Sequence, residues 1–156
     1  MTGGALSVPF ASIEGRHLIA LLDDFVALLD APRETPDEAL ERLAPDAYPD
    51  DPAAAEEYRR GTRDDLVDQR ISDARTVRTA LERFETDAGA DIVEVPRADL
   101  DGWLRTLSAM RLVLASRLGI DRDDRHDPDD PRFGTYDWLG YRLELLVQLA
   151  DRLDEE

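Results

Sequence analysis

The chain has 156 residues, with 36 acidic against 19 basic side chains and a net charge of -17. Every basic residue is Arg, and Cys, Lys and Asn are absent. This excludes lysine nucleophiles, phosphate-loop lysines, thiol chemistry, disulfides and thiolate metal sites, and so negative a surface repels nucleic-acid backbones. After a Gly-rich lead and an extended ALSVPF, Ser12 offers an N-cap for a helix over 13–30. There Leu18, Leu21, Leu22, Phe25, Leu28 and Leu29 recur at steps of three and four, flanked by Ile19 and Val26. Pro36 opens a short helix, and the proline-rich stretch 43–52 reads as loop. Residues 53–60 can be helical, and Gly61-Thr62 suggests a break, with Thr62 and Asp65 in capping-box spacing. From there to about 88 the spacing of Val67, Ile71, Ala74, Val77, Leu81, Phe84 and Ala88 predicts the longest helix, closed by Gly89.

DIVEV (91–95) is the best strand candidate, with SVPF as its expected partner. Asp99 is placed to cap a helix over 100–118, whose inner face carries Leu100, Trp103, Leu104, Leu107, Met110, Leu114 and Leu118. Gly119 suits the position after that helix. The acidic loop 121–132 follows, then a last helix over 135–153 with Trp138, Leu139, Leu145, Leu146, Leu149 and Leu153 turned inward. The expectation is an all-α, single-domain bundle of about four to five helices over 1–156. Residues 1–11 form a flexible or extended lead, and residues 5–10 pair with 91–95 as a minor two-strand element. No apolar run approaches the roughly 20 residues that span a bilayer, and no leader pattern opens the chain. The expected location is therefore cytoplasmic, with no membrane contact.

Few patterns suggest chemistry. Glu14-x-x-His17 has the spacing of a di-metal carboxylate motif, but the second Glu/His pair is missing. The Asp-rich loop lacks the Gly and ligand positions of a calcium-binding EF-hand. No nucleophile elbow, phosphate-cradling loop or dinucleotide fingerprint is present. Catalytic residues, metals and cofactors are therefore not expected. The sharper feature is arginine on apolar helix faces. Arg111 falls among Leu104, Leu107, Leu114 and Leu118. Arg142 lies between Trp138, Leu146 and Leu149, and Arg70 beside Val67, Ala74 and Val77. Such charges need partners. They either line an anion-binding cleft, with Trp103, Trp138 and Tyr136 as candidate neighbours, or lay their stems over the core and pair with the plentiful acids. The excess of acids favours the second arrangement.

The segments LERLAPDAYPDDPAAAEEYRRGTRDDL (40–66), VPRADLDGWLRTLSAMRLVLASRLGI (95–120) and YDWLGYRLELLVQLA (136–150) resemble an actinobacterial family of unknown function. Its members include the actinomycete oxidative stress regulator AosR. The resemblance implies a helical, cytoplasmic, non-enzymatic protein acting in transcription through contact with the transcription machinery. That member's sensing rests on an N-terminal cysteine pair, which has no counterpart in this chain. The chain also lacks the family's longer lead, and has Ser108-Ala109 where members often carry Asn-Asp. The leading expectation is a regulatory or adaptor protein that meets a basic protein partner without touching DNA. The alternative is a small-molecule or anion sensor using Arg111 and Arg142. The broad apolar surface of the last helix makes a homodimer a further expectation.

Overall fold

The computed structural model describes residues 4–30, 52–87, 89–120 and 129–154, with the backbone alone at 52 and 54–64. Strand β1 (Ala5–Pro9) leads into helix α1 (Ser12–Asp30). Helix α2 (Pro52–Leu81) is followed by the short α3 (Arg83–Thr86) and strand β2 (Ile92–Pro96). Helix α4 (Leu100–Leu118) and helix α5 (Gly134–Asp154) complete the order, each preceded by a 3-10 turn, at Arg97–Asp99 and Pro131–Phe133. The fold is mostly α, with one small antiparallel sheet.

The strand pairing takes the expected partners, in the register Leu6 opposite Val95 and Val8 opposite Val93. Phe10 N–H extends it by donating to the Asp91 carbonyl at 3.0 Å. Alternation turns Leu6, Val8, Val93 and Val95 inward, and all four are buried. A two-stranded ribbon is marginal in water on its own. Here β2 packs against α2 and β1 against α5, so the helices hold it.

The core lies where α1 and α4 pack on α2. Leu18, Leu22, Phe25 and Leu29 meet Ile71, Ala74, Val77 and Leu81 from α2 and Trp103, Leu107 and Met110 from α4, all buried. Each large aliphatic side chain so buried contributes about 1.5–3 kcal/mol. Helix α5 packs on α4, and β1 runs antiparallel along it: Gly4 lies against Leu153, and the Pro9 carbonyl reaches Arg142. A bridge from Arg97 to Asp154 fastens the same edge.

Four local expectations change. Gly61 does not break the chain, since α2 runs unbroken from Pro52 to Leu81. A single Gly costs only about 1 kcal/mol relative to Ala in a helix, too little against the strong helix formers around it. There is thus no helix start for Thr62 and Asp65 to cap. The helical path also ends earlier than residue 88. Glu82 makes a turn, and after α3 the chain extends at Asp87 (φ -125°, ψ 101°), whose carboxylate accepts the Gly89 N–H at 2.9 Å. That local bond competes with further helix. Asp99 precedes α4 without a side-chain cap bond, because the 3-10 turn has already drawn it into helical geometry. At α1 the capping role expected of Ser12 passes to Glu14, which accepts the Ala11 N–H at 3.0 Å, while Ser12 Oγ accepts from Arg16. Gly119 takes the expected left-handed conformation at φ 75°, and Ile120 N–H closes on the Ala115 carbonyl at 2.8 Å. The short helix expected at 36, the loop at 43–51 and the Asp-rich stretch 121–128 lie outside the described residues.

Candidate functional site

Arg142 projects from α5 toward the junction of β1 and α1, with its side chain 14% exposed. One terminal nitrogen donates to Glu14 Oε2 at 2.6 Å, the other to the Pro9 carbonyl at 2.7 Å. Its guanidinium lies 4.4 Å from the Phe10 ring centroid and 5.7 Å from that of Trp138. The Trp138 indole N–H donates to the same Glu14 oxygen at 2.8 Å. The His17 ring sits 5.7 Å from Trp138. Glu14 therefore ties α1 to α5: it caps α1, anchors Trp138 and neutralises Arg142. Burial alone would raise its carboxyl. The hydrogen bonds from Trp138, Arg142 and Ala11 N–H, with the Arg142 charge, outweigh that and bring it down from 4.5 to about 2.

Arg111 points from α4 onto the first turns of α5. Its Nε donates to the Tyr136 carbonyl at 3.2 Å, and its guanidinium covers the Tyr136 ring at 3.9 Å. Gly140 makes room for this, since a Cβ there would come within 3.1 Å of two guanidinium nitrogens. Beside Arg111 lies an open hollow of about 240 Å³, shared with Ser108, Ala115, Tyr136 and Leu143.

Arg70 belongs to a third place, the contact of α2 with α4. Its neighbour Asp73 is buried. Asp73 accepts Arg105 Nε and NH2 at 2.9 and 3.2 Å and Gln69 Nε2 at 3.0 Å. Gly102 gives Asp73 its space, for a Cβ there would stand 3.3 Å from Oδ1. The bond and charge of Asp73 raise the Arg105 guanidinium. Arg70 is instead lowered, by burial first and by the charge of Arg105, against the opposing pull of Asp73. Its Nε is buried without an acceptor, as are the Trp103 indole N–H and the Thr106 hydroxyl.

The six sequence candidates thus divide. Arg142 and Trp138 meet at Glu14, Arg111 meets Tyr136, Trp103 is fully buried beside Phe10 at 6.5 Å, and Arg70 stands by Asp73. Sequence reasoning considered Glu14 only as a metal ligand, set that aside, and passed over Asp73. The available signals were the Gln69–Asp73 spacing of four and a glycine, Gly102, in mid-helix. Among the described residues no group of three or more His, Asp or Glu is placed to hold a metal ion. None of the described helices is long and apolar enough to cross a membrane.

A mostly helical chain whose interior-facing arginines fasten one element to another is the class these contacts define. The chain belongs to the family described as a domain of unknown function, DUF2017, whose profile matches residues 1–150. No curated protein and no solved structure matches it.

Proposed function

We propose that this chain is a non-enzymatic regulatory or adaptor protein of the cytoplasm that acts by protein–protein contact. Within its family it stands with the actinobacterial members that include AosR, on the three segments that resemble them. Thiol sensing is not part of the proposal, because the chain has no cysteine. The observation that supports the reading is how Arg142 is used. Its donors face Glu14 and the Pro9 carbonyl, which makes a rigid junction, while the neighbouring Ile13 and Tyr141 face outward at 76% and 72% exposure. Rigid support under exposed apolar and aromatic side chains suits an interaction surface. A charge of -17 favours a basic protein over DNA as the partner. Affinity capture with the full chain tests this. Enrichment of specific proteins over an acidic control of equal charge is expected, and its absence would overturn the proposal.

A second reading, a sensor of small anions through Arg111 and Arg142, is favoured by the hollow beside Arg111. It requires a concentration-dependent rise in Tm with an anion or acidic metabolite, lost in Arg111→Met. Dimerisation through α5 would use the face of Val147, 46% exposed, and light scattering measures it directly.

A further inference from the structure

Helix α1 has a second organised face. Its inner side buries Leu18, Leu22, Phe25 and Leu29. Along its outer side Ile13, His17, Leu21, Asp24 and Leu28 follow at steps of four, four, three and four, which sets them in one line. Ile13, His17 and Asp24 are exposed, and Leu21 and Leu28 are half-buried. From Ile13 to Leu28 this line runs about 22 Å, at ~1.5 Å per residue.

The line has walls from two other helices. Near its start Trp138 of α5 lies 5.7 Å from His17, and Tyr141, one turn on from Trp138, is 72% exposed. Toward its end α4 contributes Met110, Val113 and Leu114. With Leu21, Phe25 and Leu28 these enclose an open apolar hollow of about 160 Å³, with Asp24 on its lining. An apolar space of about 150 Å³ accepts a benzene ring, so the hollow suits one Leu, Met or Phe side chain. An exposed aromatic near one end and an apolar socket toward the other, along a line of about four turns in all, match the way amphipathic helices lie in grooves.

Charge selects the occupant. On this helix Glu14 is paired with Arg142 and Asp23 with Arg78, which leaves Asp24 and Asp30 against Arg16, within a chain of net charge -17. A second copy would bring the same charge to the same face and be repelled, whereas a basic segment is attracted. We infer that the outer face of α1, walled by α4 and α5, docks an amphipathic helix of a basic partner protein. A Leu, Met or Phe of that helix fills the hollow, and Lys or Arg along its flank faces Asp24. This rests on the protein-contact reading above and assigns it a surface.

The test uses the full chain and two synthetic Leu/Arg/Ala peptides of about eighteen residues, long enough for the line. In one, Leu recurs at i, i+3, i+4 and i+7. The other has the same composition, scrambled. Binding is followed by calorimetry and by tryptophan emission, where Trp138 borders the groove and Trp103 is fully buried. The striped peptide is expected to bind at least about tenfold more tightly than the scrambled one, and Leu21→Glu and Tyr141→Ser each to weaken it by about fivefold or more. Tyr141 is so exposed that its replacement leaves the fold intact, which a thermal melt verifies for both variants. Equal binding of the two peptides, no binding of the striped one, or unchanged affinity in both variants overturns the inference. So does a dimer that Leu21→Glu dissociates, since a second copy would then be the occupant. Repeating the affinity capture with the two variants separates the two proposals. Partners recovered equally by parent and variants sink the groove and leave protein contact standing, whereas no partner for the parent sinks protein contact itself.

Discussion

Replacing Glu14 by Gln keeps the side chain's size and removes the charge that Arg142 faces at 2.6 Å. Lowering the carboxyl from 4.5 to about 2 corresponds to about 3 kcal/mol, at ~1.4 kcal/mol per pH unit. The Glu14 side chain is still 31% exposed, and solvent screening trims the expected loss in Glu14→Gln to about 2 kcal/mol at pH 7. For a chain of this size that is a fall in Tm of about 4–8 °C. The folded-state value lies below the unfolded one. The contribution is therefore fully present above the unfolded range near 4.5 and fades as pH falls toward 2. The gap between wild type and Glu14→Gln is expected to hold from pH 7 to 5 and to shrink to roughly 40% of its full size near pH 3. Urea titrations followed by circular dichroism at pH 7, 5 and 3 measure it. Equal stability at pH 7, or a gap that stays constant down to pH 3, would refute the reasoning about this junction.

Five further substitutions follow from the packing. Gly15→Ala would drive a Cβ to 2.5 Å from the buried Phe84 ring and should cost about 1–3 kcal/mol. In contrast, Gly134→Ala meets nothing within 4 Å at a helical φ of -56° and should add about 0.4–1 kcal/mol, both read from thermal melts. Asp73→Asn takes a buried charge from Arg105 and Gln69 and should destabilise by about 1–3 kcal/mol in urea. Arg105→Ala leaves the buried Asp73 carboxylate without two of its three donors and should cost more, and the reverse order would disprove the asymmetry. Thr106→Val removes a buried hydroxyl that has no partner while keeping its shape. A Tm rise equivalent to about 1 kcal/mol is expected, and a fall would mean the hydroxyl is satisfied in solution.

The parts of this structure that could be read from the sequence are those decided within a few residues. The line of Leu18, Leu22, Phe25 and Leu29 and the left-handed Gly119 are set by helical spacing and by one backbone conformation. Gly61 misled because a helix break depends on the balance of a whole segment, which one glycine does not tip. Arg142 could be singled out as a charge on an apolar face that needs a counter-charge. Its partner could not be chosen, for Glu14 stands 128 residues away among 36 acids. The same limit hid Asp73, whose burial comes from the closeness of Gly102 on another helix.

The ribbon joins Ser7 to Glu94, 87 residues apart. Closing so long a loop is entropically costly, and the strands alone return little, so β1 docks after the helices that support it. Val8→Ala should accordingly speed unfolding and leave the folding rate within about twofold in stopped-flow measurements, and slowed folding would place the ribbon in the nucleus. On the ribosome the same topology becomes a waiting time. At ~5–20 residues per second, β1 emerges roughly 4 to 17 s before its partner strand exists. Through that interval Leu6 and Val8 have no sheet to enter, and the proline at the end of β1 helps to keep the unpaired edge from joining another chain.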